Sequence, residues 1–321
     1  TLVFSEAVAS FSSAADITVA NGTLATMSSA DNVTWTGTFT PTANTEDASN
    51  TLSLATSYTD TAGNAGAAAT TANYAVETLA PTVYSISPTD NQSSVSITDN
   101  ITVTFSEAME SSYVTTNTSD TFCAGTIWVS SDNFSSCVKM SSSPSSSNSN
   151  RTFTLDPYDN LTSSTTYKTR VTTGVKDTAG NALSSQYETS SGFTTLSLSA
   201  PSGLTATGTA GQVSLDWSAV TSASSYTVYW DNATGISSSS TAITSVSTDN
   251  YTHSSLDNGS IYYYKVAAVA TDNTTGSLSS EVNASTPLPA ADNLSASRAN
   301  NTIIQTWNSV GGANSYTLYW D

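Results

Sequence analysis

Two different internal repeats run through this sequence, and a repeat calls for a folding unit that can be copied in tandem. The first joins residues 1–79 to residues 80–198. Phe4-Ser-Glu-Ala-Val8 returns as Phe105-Ser-Glu-Ala-Met109, and Asp60-Thr-Ala-Gly-Asn-Ala65 returns as Asp177-Thr-Ala-Gly-Asn-Ala182. The two elements start 56 residues apart in the first copy and 72 in the second, an excess that the Cys-containing, Ser-rich stretch from about Ser119 to Asn150 can accommodate. The second repeat has a period of 90: Trp217, Tyr226, Trp230 and Asp231 return as Trp307, Tyr316, Trp320 and Asp321. Residues 199–289 are then one complete module and 290–321 the opening third of another. The first module lacks the roughly two dozen residues that precede Phe105 in its partner. The array is expected to continue in both directions; strands supplied by a neighbouring subunit are the alternative.

The repeated unit is a β-sheet. Ile101-Thr-Val-Thr-Phe105 and Tyr226-Thr-Val-Tyr-Trp230 alternate, with β-branched and aromatic side chains suited to a pleated surface buried on one side. No helical periodicity of useful length occurs. Asp-Thr-Ala-Gly-Asn reads as a turn in which Gly supplies positive φ while Asp and Asn bond to nearby backbone. With 60 Ser and 56 Thr, about 36% of the chain, and only 10% charged residues, the outer faces are paved with hydroxyls. The 15 Tyr, 6 Trp and 8 Phe supply cores, and Trp217, Trp230, Trp307 and Trp320 are expected mostly there. The junctions Leu79-Ala-Pro81, Ser199-Ala-Pro201 and Pro287-Leu-Pro289 are short and Pro-marked, which makes a semi-rigid, elongated rod.

These residues carry family resemblances. Residues 80–198, with Ala80-Pro-Thr-Val83, Ile101–Met109, Leu161-Thr-Ser-Ser-Thr-Thr-Tyr167 and Gly174–Leu183, resemble a bacterial Ig-like domain. Residues 1–79 resemble a related prokaryotic Ig-like module of large surface adhesins. Residues 199–289 resemble a fibronectin type III domain through Ala200-Pro-Ser-Gly-Leu204, Val213-Ser-Leu-Asp-Trp217 and Leu256–Tyr262. The last element is similar to that family's tyrosine corner, with Tyr262 as the ring and Asn258 where Pro often stands. The resemblance implies an all-β fold of tandem Ig-like and fibronectin type III β-sandwiches, and an extracellular, cell-surface location. It is specific for fold and weak for function.

Charge narrows the partners. Seven Lys plus Arg against 25 acids leave a net charge of −18, so no basic patch exists for nucleic acid, and anionic membrane surfaces are disfavoured. No apolar run approaches the ~18 residues of a membrane span, so no membrane insertion is expected within this segment. Cys123 and Cys137, 14 positions apart with no neighbouring His, read as a disulfide. His253 is the single histidine and reads as a solvent-facing strand or turn residue. No Gly-x-Ser-x-Gly elbow or phosphate loop accompanies it, and Glu6, Asp16 and Glu107 sit in repeated, non-catalytic contexts. The chain is therefore read as no enzyme, with no catalytic, cofactor-binding or metal residue assigned. Calcium at the module joints, held by Glu6, Asp60, Glu77, Glu107 or Asp177, is the alternative, although the linkers themselves are poor in acid.

The chemical signal is the acceptor sequence for N-linked glycans. Asn-x-Ser/Thr occurs at Asn21, Asn32, Asn91, Asn100, Asn117, Asn133, Asn150, Asn160, Asn232, Asn250, Asn258, Asn273, Asn283, Asn293 and Asn300. Ten of these Asn follow Asp directly, and every Asp-Asn dipeptide in the chain has the hydroxyl two residues on. Asp-Asn favours turns, which explains the dipeptide but not the hydroxyl. An acid two residues before the Asn, usual in bacterial N-glycosylation, occurs only at Asn283 through Glu281, which points to an archaeal surface protein. The expected function is a densely N-glycosylated structural or adhesive rod, stalk or filament component. Its expected partners are its own glycans and other copies or cell-surface components. Spacer modules of a large secreted enzyme, such as a polysaccharide hydrolase, are the alternative.

Overall fold

The structure, a computed structural model, describes residues 1–320. Its strands gather into two compact units: residues 1–92, 100–159 and 167–193, and residues 93–99, 160–166 and 194 onward. The cut does not follow the repeat boundary expected at 198/199, because short segments of the second repeat copy belong to the second unit. There Val95 bridges Thr195, Leu161 N–H donates to Ile97 O (2.8 Å), and Ser96 Oγ–H and Ile97 N–H donate to the Asp272 carboxylate (2.6 and 3.2 Å). Leu198 is buried in the core of the fibronectin-like sheets with Leu196 packed beside it. Burial of these two leucines, rather than the Pro after them, decides their allegiance.

In the first unit the two repeat copies share several backbone hydrogen bonds at matching positions. Phe4 N–H donates to Val33 O (3.0 Å) as Phe105 N–H does to Arg151 O (2.8 Å). Val8 N–H donates to Asn32 O (3.0 Å) as Met109 N–H does to Asn150 O (2.9 Å), and Val8 and Met109 bridge Asp60 and Asp177 respectively. Asn32 thus matches Asn150, which places the second copy's extra residues ahead of Asn150. They hold the strand Ile127–Ser130 and the Cys123–Cys137 disulfide, as the cysteine spacing leads one to expect. The second copy is the fuller sandwich. Its sheet runs Val83–Ser87, Ile101–Phe105, Thr152–Leu155, Ser145–Ser147, and Ile86, Val103, Phe105, Phe153 and Leu155 are buried. The first copy closes around a smaller aromatic cluster: Phe4, Phe11, Trp35 and Tyr58, with ring centroids 4.9–5.3 Å apart for Phe4–Phe11, Phe4–Tyr58 and Phe11–Trp35.

The second unit contains a β-sandwich whose sheets are Thr205–Thr209, Gln212–Asp216, Asn250–Ser254 and Thr241–Val246, Ser225–Asp231, Ile261–Val269, Thr275–Leu278, with Val282–Ser285 also on Ile261–Val269. Val213, Leu215, Trp217, Tyr226, Val228, Tyr264 and Val266 fill its core. The expected tyrosine corner is present: Asp257 N–H donates to Tyr262 Oη (3.0 Å). The period of 90 also holds as a bond, since Val220 N–H donates to Tyr226 Oη (2.9 Å) and Val310 N–H to Tyr316 Oη (2.5 Å). Residues 290–320 contribute one hairpin, Ser295–Ala299 with Thr302–Thr306. Trp320, expected mostly in a core, is 83% exposed; Asp321, the repeat mate of Asp231, lies outside the described residues.

Tyr262→Phe should lower unfolding stability by about 1–2 kcal/mol in urea denaturation, since the half-buried Asp257 N–H loses its acceptor. Replacing Cys123 and Cys137 together by Ser should cost roughly 3 kcal/mol, the chain-entropy value for a loop of this length, followed by near-UV spectra on denaturation.

Candidate functional site: converging carboxylates and exposed asparagines

Three carboxylates from distant parts of the first unit meet at one place. Glu77 closes the strand Tyr74–Glu77, Glu107 follows the strand Ile101–Phe105, and Asp177 opens the repeated turn. Their oxygens lie within 4.8 Å of one another. The turn is built by Asp177 itself: its Oδ1 accepts from Ala179 N–H (2.9 Å) and Asn181 N–H (2.8 Å), and Oδ2 from Asn181 Nδ2–H (2.9 Å). Gly180 holds φ at +98° with open space where a Cβ would stand, so backbone torsion rather than crowding requires glycine there. Asn181 Nδ2–H also donates to Glu77 Oε2 (2.6 Å), and Leu79 N–H to Glu77 Oε1 (2.7 Å), so the linker is tied to the turn of the following module.

Burial, aided by the charges of Asp177, Glu77 and Glu46, pushes the Glu107 carboxyl up to about 7. Burial also raises Glu77, with Asp177 contributing. None of the three forms an ion pair with a basic side chain among the described residues. Such hard oxygen donors fit a divalent cation of the calcium type. Of the five acids considered for such a site, the fold brings together Glu77, Glu107 and Asp177. Glu6 and Asp60 stand apart, in the matching place of the first copy, where Asp60 makes the same turn bonds with Ala62 and Asn64. The linker itself is poor in acid, and two of the three carboxylates come from the module after it.

His253 differs from expectation. It lies on the strand Asn250–Ser254 but is half-buried, its Nδ1 3.1 Å from Tyr264 Oη and its ring 4.5 Å from that of Trp230. Strand alternation puts Thr252 and Ser254 outside and Tyr251 and His253 toward the sandwich, and burial lowers the imidazole pKa. Among the described residues no helix is long and apolar enough to cross a membrane.

The acceptor asparagines separate by environment. Asn32, Asn91, Asn100, Asn133, Asn150, Asn160, Asn232, Asn250, Asn273, Asn283, Asn293 and Asn300 are exposed. Asn21 and Asn258 are half-buried, and Asn21 Nδ2–H is engaged with Asp47 Oδ2 (2.6 Å) and Asn50 Oδ1 (2.7 Å). Asn117 is buried; its amide donates to Asp120 O and its Oδ1 accepts from Ser119 and Asp120 N–H.

The Asp of the Asp-Asn pairs has a structural use. Asp31 Oδ1 accepts from Val33 and Thr34 N–H, Asp272 Oδ1 from Thr274 N–H, and Asp90 from Ser190, Ser191 and Gly192 N–H. Hydrogen bonds from Ser136 and Ser130 hold Asp132 at a pKa of about 2. Asn32, Asn91, Asn133, Asn273 and Asn293 sit at positive φ, which Asn tolerates. The hydroxyl two residues on is divided: Ser135, Thr234, Thr275 and Ser295 use theirs in hydrogen bonds, whereas the side chains of Thr34, Ser93, Thr102, Thr252 and Ser260 make none among the described residues.

Comparison with known proteins follows the repeat. Residues 1–76 and 77–195 each match a family profile described as a bacterial Ig-like domain. Among solved structures, a Fn3-like protein from Clostridium thermocellum shares 30% identity over 27% of this chain and 91% of its own, with a TM-score of 0.25. The N-terminal part of the bacterial S-layer protein SbsC shares 16% identity over 65% of this chain and 44% of its own, with a TM-score of 0.28. The FN1–FN3 domains of chicken CNTN1 share 14% identity over 73% and 75%, with a TM-score of 0.26. No curated protein matches the sequence.

The raised Glu107 carboxyl sets a pH dependence. It holds its proton in the folded state up to about 7 but releases it near 4.5 when unfolded, so its stabilising contribution is complete below about 4.5 and lost as pH rises through 7. The melting temperature of the first unit should fall by a few degrees between pH 5 and pH 8. Glu107→Gln should flatten that slope, and millimolar Ca²⁺ at pH 8 should raise the wild-type midpoint more than the variant's.

Proposed function

We propose that this chain, whose first 195 residues are two tandem bacterial Ig-like domains followed by fibronectin type III-like modules, is a densely N-glycosylated structural segment of an extracellular surface protein. The observation that carries this reading is the Asp-Asn-x-Ser/Thr pattern. Asp31, Asp90, Asp132 and Asp272 are turn acceptors, and five of the ten Asn hold positive φ. Yet five of the ten hydroxyls that glycan transfer needs make no hydrogen bond among the described residues, and the pairs of Asn32 and Asn91 combine all three features. Twelve acceptor Asn are exposed, as attachment of a bulky glycan requires. The Cys123–Cys137 disulfide fits an oxidising compartment outside the cytosol.

Glu281, the single acid at the position usual in bacterial transfer, is engaged with Thr234 Oγ1–H and the Gly235 and Ile236 N–H groups, which favours an archaeal type of acceptor. The domain types are ordinarily non-catalytic, and the role assigned here is to project and space, with glycans and other surface components as its contacts. Glycopeptide mass spectrometry of protein purified from its native cell should find glycans at Asn32, Asn133 and Asn273 and bare amides at Asn21 and Asn117. Bare Asn at all the Asp-Asn positions would overturn the reading.

A further inference from the structure

Asn91 and Asn100 carry the same Asp-Asn-x-Ser/Thr signal nine residues apart, and the fold treats them differently. Asn91, Gln92 and Ser93 lie outside every strand, and all three are exposed. Backbone bonds shape this turn: Asn91 N–H donates to Gly192 O (2.6 Å) and Gln92 N–H to Thr89 O (3.0 Å). The Ser93 hydroxyl makes no hydrogen bond among the described residues. Asn100, by contrast, leads straight into the strand Ile101–Phe105. Ile101 is 0% exposed, and Thr102 faces Ser87 on one edge and Thr154 on the other. Asn150 stands in the same situation one strand away. Thr152 has Thr104 on one side and Ser147 on the other, while Arg151 O accepts from Phe105 N–H (2.8 Å) and Asn150 O from Met109 N–H (2.9 Å).

Transfer of an N-glycan makes one bond and breaks one. C1 of the first sugar of a lipid-linked oligosaccharide leaves its phosphate oxygen and bonds to Asn Nδ2; the amide gives one proton to a base of the transferase, and the lipid phosphate departs. The enzyme has to hold the amide and the hydroxyl two residues on in one cleft, so the tripeptide must come away from whatever it is packed against. At Asn91 only an exposed turn has to move. At Asn100 the buried Ile101 would have to leave the core, and its strand would have to be drawn from between Val83–Ser87 and Thr152–Leu155. At Asn150 the strand Thr152–Leu155 is held in the same way between Ile101–Phe105 and Ser145–Ser147. Such an opening is an unfolding of the sheet, not a loop motion. The Asn100 and Asn150 side chains themselves are exposed, so a glycan already attached to either is compatible with the closed sheet.

We propose, resting on the reading of this chain as N-glycosylated, that the fold sets two stages of transfer in the second Ig-like copy. Asn100 and Asn150 receive glycans only before the copy closes its sheet, and Asn91 remains an acceptor afterwards. Occupancy of Asn100 and Asn150 is then the outcome of a race between transfer and folding, whereas occupancy of Asn91 is not. The acceptor motif does not encode the stage, since Asn91 and Asn100 share both the Asp and the hydroxyl; the strands on either side of Thr102 do.

The test uses the full chain produced without glycans and folded. It is incubated with a purified N-oligosaccharyltransferase that requires only Asn-x-Ser/Thr, together with its lipid-linked donor, and glycopeptides are quantified over time. In parallel, the same reaction is run on a full chain carrying Phe105→Asp and Leu155→Asp, two buried positions outside the acceptor tripeptides whose loss keeps the second copy from closing. In the folded chain Asn91 should be modified roughly tenfold or more faster than Asn100 and Asn150, and in the unclosed variant the three should be modified at similar rates. A folded chain modified at Asn100 and Asn150 as fast as at Asn91 would overturn the two stages and leave the acceptor reading standing. An unclosed variant that stays bare at all three would overturn the acceptor reading itself, and the two stages with it.

Discussion

The Asp-capped turn is the interaction on which the Ig-like part of the molecule depends. In a chain with so few charged side chains, loops cannot be organised by ion pairs, and only Glu188, with Lys168 and Arg170, forms them among the described residues. Carboxylates accepting backbone N–H groups take that role: Asp60 and Asp177 shape the repeated turns, Asp31, Asp90, Asp132 and Asp272 shape others, and Glu281 closes a loop of the fibronectin-like sandwich. A charged acceptor makes a stronger hydrogen bond than a neutral one. A small number of acids can therefore order many Ser- and Thr-rich segments.

That solution has a consequence at the joint. The turn brings Glu77 and Glu107 against Asp177, and burial of Glu107, aided by the neighbouring carboxylates, lets it hold its proton to near neutrality. The same turn that orders the module thus creates a site that is comfortable either protonated or with a divalent cation. A different joint chemistry serves between residues 93–99 and the fibronectin-like sandwich. There a single carboxylate, Asp272, meets neutral donors and sits at a pKa of about 2, so it has no need of a counterion.

The Asp-Asn pairs show how a structural and a chemical signal overlap in one motif. In the pairs of Asn32, Asn91, Asn133 and Asn273 the Asp accepts turn hydrogen bonds and the Asn is left-handed, while the hydroxyl makes a bond in some pairs and none in others. Asn117 differs in environment from the exposed acceptors: its Asn-x-Ser is intact, and its side-chain amide is hydrogen-bonded inside the inserted loop. The missing Asp before it does not set Asn117 apart, since Asn150, Asn283 and Asn300 also lack that Asp and are exposed.

Strand alternation, the repeated turns, the two repeat periods, the pairing of the only two cysteines and the tyrosine corner were all legible without coordinates, because each rests on residues close in sequence or on a choice with one answer. What only the tertiary structure decided is long-range. Glu77 meets residues 30 and 100 positions away, Leu198 joins a core that lies after the junction proline, and His253 turns inward. These outcomes depend on which distant surfaces exclude water together, and local periodicity carries no record of that. The Asp-Thr-Ala-Gly-Asn turn could be predicted from five letters; that its carboxylate would also anchor the linker of the module before it could not.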